Sequence, residues 1–67
     1  MAAMKQFSRG ETVSVEAYGG EILTRRVVVD TSNVVVVCNE QEYQRANAER
    51  REPDGVGFPR EAVKPLV

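Results

Sequence analysis

Sixty-seven residues at a formal net charge of −1, nine Lys and Arg against ten Asp and Glu, leave room for one small domain and lack the positive excess on which nonspecific nucleic-acid binding rests. One cysteine and no histidine exclude an intrachain disulfide and the usual Cys and His zinc sets, so neither a metal nor another cofactor is expected. A chain this short hides only about 60% of the surface its unfolded form exposes, and association is the remaining source of stability, so a homodimer is expected.

In chain order, residues 1–8 read as a leader that pairs with the body or frays, with Phe7 the first large apolar anchor. Arg9-Gly10-Glu11 reads as a tight turn, since glycine accepts positive φ. From Thr12 to Tyr18 apolar and polar residues alternate: Val13, Val15 and Ala17 share one face, and Thr12, Ser14, Glu16 and Tyr18 the other. This is the pattern of a half-buried strand. Gly19-Gly20 then predicts a two-residue hairpin turn.

Ile22 to Asp30 is the second predicted strand. Leu23, Val27 and Val29 would share a face with Arg25. Either Arg25 lies at an open end of the fold, or a β-bulge near Arg25-Arg26 resets the register. The bulge is favoured, because a small barrel needs its strands bent. Asp30 to Asn33 is the next turn, rich in side chains that bond their own backbone.

Val34 to Cys38 is an unbroken apolar run, four valines and a cysteine. β-Branched residues favour a strand, and the missing alternation predicts cover on both faces. One face meets the core. The other meets a helix, the leader or a second subunit, which marks Val34 and Val36 as candidate interface residues. Asn39 then caps a helix over about 40–50, with Glu42 placed to reach back to the cap. Glu42 and Arg45 can pair one turn apart. The apolar face of this helix is thin, and Tyr43 on it is a third candidate for an interface. Pro53 stops the helix. Pro53-Asp54-Gly55 is a turn, Val56-Gly57-Phe58 a short strand closed by Pro59, Arg60 to Ala62 one tight helical turn, and Val63 to Val67 a final strand that Pro65 places at an edge.

Two segments carry a resemblance. Gly57-Phe58-Pro59-Arg60-Glu61-Ala62-Val63 resembles the end of a Src-homology-3 domain, where a short strand with Gly, an apolar residue and Pro leads through one 3₁₀ turn to Val in the last strand. Phe7 to Val15 is similar to that family's Phe-x-x-Gly-Asp-x-Val-x-Val segment. The resemblance implies a mainly β fold: a small five-stranded Src-homology-3-like barrel, here with one short α-helix before the closing strands. It covers about a quarter of the chain and departs from the peptide-binding members where their function sits. There is no Trp and no Ala-Leu-Tyr-Asp-Tyr segment, and Ala62 stands where those domains carry Tyr. The small plasmid-borne dihydrofolate reductase is a barrel of the same type. Its Val-Gln-Ile-Tyr strand would fall near Val56 to Pro59, without the polar Gln and Tyr.

The candidate sites follow from these placements. Cys38 has no His or nearby Lys to activate it, so a buried, inert thiol is expected. Arg25, Arg26, Arg50 and Arg51, with Arg45, Arg60 and Lys64, would form a basic face if the fold brought them together. Tyr18 or Phe58 would then serve as a stacking platform for single-stranded nucleic acid. The plainer expectation is a solvated surface balanced by Glu49, Glu52 and Glu61. Gly55-Val56-Gly57 lacks the Lys-Ser/Thr of a phosphate loop. No apolar run of 18 residues spans a membrane, the first five residues lack the apolar core of a signal peptide, and a lone cysteine suits a reducing compartment, so a cytoplasmic protein of bacterial type is expected. The leading reading is a noncatalytic interaction module that binds a protein partner or its own copy. Nucleic-acid binding is the alternative, and an enzyme with a site shared between subunits the remote one.

Overall fold

The computed structural model describes residues 6–31 and 33–66. The chain runs β1 (Thr12–Glu16), a 3₁₀ turn (Tyr18–Gly20), β2 (Ile22–Asp30), β3 (Val34–Cys38), α1 (Glu40–Glu49), β4 (Val56–Pro59), a second 3₁₀ turn (Arg60–Ala62) and β5 (Val63–Pro65). The strands form one antiparallel sheet in the order β4-β3-β2-β1-β5. β4 and β5 are its two edges, and the sheet does not close on itself. Among the described residues no helix is long and apolar enough to cross a membrane.

β2 is the shared strand. Its first half, Ile22 to Arg26, pairs with β1, and its second half, Arg26 to Asp30, pairs with β3. The first half runs in unbroken register through Arg25 and Arg26, so the bulge expected there is misplaced. It falls at Val28, between the Val27–Val37 and Val29–Val36 pairs. Val27, Val28 and Val29 are all apolar, so side-chain type alone gave no cue to the slip. Arg25, opposite Val13, stays on the core face and runs its guanidinium out to the Thr24 carbonyl at 2.9 Å.

Directly opposed residues of an antiparallel pair share a face. Val13, Val15, Val27, Val35, Val37 and Val63 therefore line one face and, with Phe7, form the inner cluster, against which Phe58 packs. The outer face carries Val34, Val36 and Cys38, and α1 lies against β2. Ala46 of α1, Val28 and Cys38 are buried without belonging to the inner cluster. The inner side of β3 is covered by the core, and its outer side is covered in part. Val35 and Val37 face inward, Cys38 faces the helix side, and Val34 and Val36 are half-buried. The backbone of Gly55 approaches Val36 so closely that a β-carbon there would sit 2.8 Å from a valine methyl.

Local details depart from the sequence reading for identifiable reasons. β1 ends at Glu16, and the loop to β2 spans five residues instead of two, with Ala17 N–H bonded to the Glu21 carbonyl at 2.7 Å. The cap of α1 is half as expected: Asn39 Oδ1 accepts from Glu42 N–H at 2.6 Å. The Glu42 carboxylate turns away from the cap, to Arg51 at 2.7 Å and the Asp54 N–H at 3.0 Å. It therefore ties the first turn of the helix to the segment that follows the helix, where a pair with Arg45 was expected. Helix α1 stops at Glu49, with Arg50 in the left-handed conformation. Of the expected leader, residues 1–5 lie outside the described residues, and Phe7 is part of the core. Val67 of the expected last strand also lies outside them.

Asp30 was expected to cap the β2–β3 turn. Thr31 does this instead, its hydroxyl donating to the Val34 carbonyl at 2.6 Å and accepting from the Val34 N–H at 3.0 Å. Asp30 sits low in the fold and binds the Arg60 guanidinium and the Phe7 N–H, the latter at 2.6 Å. Three distant parts of the chain meet on this carboxylate. Burial pushes its pKa up, but the hydrogen bonds from Phe7 N–H and Arg60, with the Arg60 charge, outweigh burial and hold it below the ordinary carboxylate value. Its stabilisation is therefore complete above the unfolded value, near 3.9, and is lost as pH falls through the lower folded value. Asp30→Asn is expected to cost about 1.5–3 kcal/mol at neutral pH. The gap in melting temperature between wild type and variant should narrow as the pH is lowered below about 4. Thermal melts of both proteins across a pH series measure it.

Candidate functional site

A groove of about 500 Å³ opens between the β1–β2 loop and the corner where β4 turns into β5. Glu16, Ala17, Tyr18, Gly19 and Gly20 form one wall, and Phe58, Pro59, Glu61 and Ala62 the other. The strand order puts these walls together, because β5 returns to lie beside β1.

The first wall is built by its turn. Gly19 at φ 86° and ψ 4° fits the third position of a type II turn, closed by Gly20 N–H on the Ala17 carbonyl at 3.0 Å. A side chain at Gly19 would be strained there. The turn leaves Tyr18 fully exposed, an unusual position for a large aromatic ring. The second wall rests on the core, since Phe58 packs against the inner cluster. Pro59 then fixes the chain direction into the 3₁₀ turn. The only charged side chains on the lining are Glu16 and Glu61, both exposed.

Tyr18 and Phe58 are therefore brought to one place, as a stacking platform requires, but their charged neighbours are carboxylates. Arg60, in the same corner, turns to Asp30 and to the Thr31 carbonyl at 2.5 Å. The remaining arginines are dispersed. Arg25 and Arg26 are adjacent in a strand, so their side chains leave opposite faces. Arg26 lies on the outer face over the Tyr43 ring, 4.4 Å from its centroid, and 3.1 Å from a Glu40 oxygen. Arg51 is held by Glu42 and Glu49, and both contacts raise its pKa. Arg50 occupies the left-handed cap of α1. Arg45 borders a shallow polar depression with Asn39, Gln41 and Glu42. Arg9, which the sequence did not single out, pairs with Glu52, and that pair raises the arginine and lowers the carboxylate.

Tyr43 is half-buried at the joint between helix and sheet, beneath Arg26 and against Gly10. Gly10 has φ 85°, and a β-carbon there would lie 2.5 Å from the Tyr43 hydroxyl oxygen. Cys38 is buried. Burial, reinforced by Glu42, pushes its thiol above the ordinary value against the opposing pull of Arg26, so the thiolate that a nucleophile needs is disfavoured.

The acidic rim of the groove escaped the sequence reading. Glu16 stands two residues before Tyr18, and Glu61 three after Phe58. Their convergence depends on placing the β1–β2 loop against the β4–β5 corner. No protein-family model, curated protein or solved structure significantly matches the chain.

The site can be perturbed without harming the fold. Tyr18→Ala should leave unfolding free energy within about 0.5 kcal/mol of wild type, as expected for an exposed position. Gly10→Ala should cost about 1–2 kcal/mol for the left-handed backbone alone, and more through the clash with Tyr43. Urea denaturation of the two variants measures both.

Proposed function

We propose that this chain is a noncatalytic protein-interaction module. In this reading it is a small, strongly bent barrel of the Src-homology-3-like type, and its groove takes an extended segment of a partner protein bearing apolar and cationic side chains. The observation that carries the reading is the fully exposed Tyr18 standing over an apolar groove with Phe58, Pro59 and Ala62. Exposed aromatic rings beside apolar pockets are where binding energy concentrates in protein interfaces. The carboxylates of Glu16 and Glu61 favour cations at the rim and repel acidic chains.

Several features support the barrel. β5 lies beside β1, β2 is shared between two halves of the sheet, and one 3₁₀ turn joins β4 to β5. The Trp and the Ala-Leu-Tyr-Asp-Tyr segment of the proline-binding members are missing, so selectivity for proline-rich ligands is not part of the proposal. The buried thiol suits a cytoplasmic setting.

The nucleic-acid reading loses its support at the same groove. Phosphates would meet two carboxylates there, while Arg26, Arg51 and Arg60 are engaged with Glu40, Glu42 and Asp30.

Peptide titrations followed by amide chemical shifts test the proposal. Peptides pairing leucine or proline with arginine or lysine should shift the signals of residues 16–20 and 58–62, and their acidic counterparts should not. Tyr18→Ala should weaken binding at least tenfold, and Glu16→Gln with Glu61→Gln should flatten its salt dependence. If a single-stranded oligonucleotide is retarded at low salt while no cationic peptide binds, the module reading is wrong.

A further inference from the structure

The sheet has two open edges, and they are not guarded alike. Proteins blunt exposed edges with charge, proline, bulges or cover, because a row of unpaired N–H and C=O groups otherwise recruits another strand. β5 carries Lys64 and Pro65 within three residues. β4 carries no charge at all: Val56, Gly57 and Phe58 run uncharged from Gly55 to Pro59, and proline stands only at the last position. Val56 is 63% exposed, one of the most exposed large apolar side chains described. Among the described residues no strand pairs with the outer side of β4.

We propose that two copies of the chain pair through β4, antiparallel across a two-fold axis near Gly57, joining two five-stranded sheets into one. A two-fold interface sets a surface against itself, so each position must tolerate its own kind opposite. A charged strand would meet like charge there, whereas Val56-Gly57-Phe58 meets none. The self-complementarity of this uncharged strand is what selects a second copy over a charged partner segment. Pairing of β4 with β5 of another copy would instead grow an open array, and Lys64 and Pro65 oppose it. The ladder is four residues long and involves few large side chains, so it falls well short of the roughly 800 Å² per partner of a standard stable interface. The dimer is accordingly weak and reversible. Phe58 and Pro59 also line the groove, so the pairing is separated from it at Val56, which is not part of the groove lining.

Sedimentation equilibrium from micromolar to millimolar concentration tests it, with amide hydrogen exchange as a second readout. Wild type should move reversibly from monomer to dimer, and exchange at residues 56–58 should slow as concentration rises. Val56→Lys, which guards the edge at an exposed site, should weaken the dimer at least tenfold with the melting temperature of the monomer preserved. Ile22→Lys, equally exposed at 65% but in the half of β2 that pairs with β1, should leave it intact. A monomer throughout the range, a dimer indifferent to Val56→Lys, or a series of ever larger species would each overturn the proposal.

Discussion

Because Val28 is an extra residue between the Val27–Val37 and Val29–Val36 pairs, β2 presents its valines to both sides of the sheet. Val27 goes to the inner cluster, and Val28 is buried outside it. A bulge also sharpens local bending and twist, at the place where β2 passes from its pairing with β1 to its pairing with β3. The inner cluster, the seat of the helix and the return of β5 to β1 all depend on that bend. Asp30, two residues on, fixes the result, because its carboxylate holds Phe7 from the start of the described chain and Arg60 from the corner before β5.

Charge in this protein is spent on position. Arg9, Arg26 and Arg60 each meet a carboxylate far along the chain or across the helix–sheet joint, and Arg51 meets two on the helix it follows. Exposed pairs such as Arg9–Glu52 add little stability, but together they leave no broad basic face. The Arg60–Asp30 pair differs in kind, because it is nearly enclosed and hydrogen-bonded on several sides, and losing one partner would strand a charge. With the cations so engaged, the groove is left with Glu16 and Glu61 as its field. A binding surface can take its sign from which charges remain unpaired, even in a chain whose total is nearly zero.

The strands, the helix and the 3₁₀ turn before β5 lie close to where alternation, capping and proline placement put them, whereas the turn after β1 takes in Tyr18, which alternation placed in the strand. Periodicity was strong in Thr12 to Glu16, and proline marked Pro59 and Pro65, so those elements were legible. Register within Val27-Val28-Val29 was not, since three like residues give no period to read. Tertiary pairing also hid partners: Asp30 looked like a turn residue because Phe7 and Arg60 are 23 and 30 positions away. The candidate site was half legible. Tyr18 and Phe58 stood out as aromatic residues in a chain with few, but the sign of their surroundings depended on Arg60 turning inward and Glu61 outward. That choice is made by Asp30 across the fold, not by anything local to the turn.

The same logic explains why β3, the most conspicuous apolar run, does not by itself point outward. An apolar strand in a sheet of only five can be covered on both sides by its own chain when a helix and a glycine-bearing segment follow it directly. Here Cys38 is buried, and Gly55 brings backbone against Val36 where any side chain would collide. The glycines that permit this approach, Gly55 and Gly57, also strip the neighbouring strand of bulk and charge. Partial cover for β3 is thus obtained by leaving the edge strand bare, and Val56 is more exposed than the half-buried Val34 and Val36. In a domain this small, burying one strand and guarding the next are competing demands.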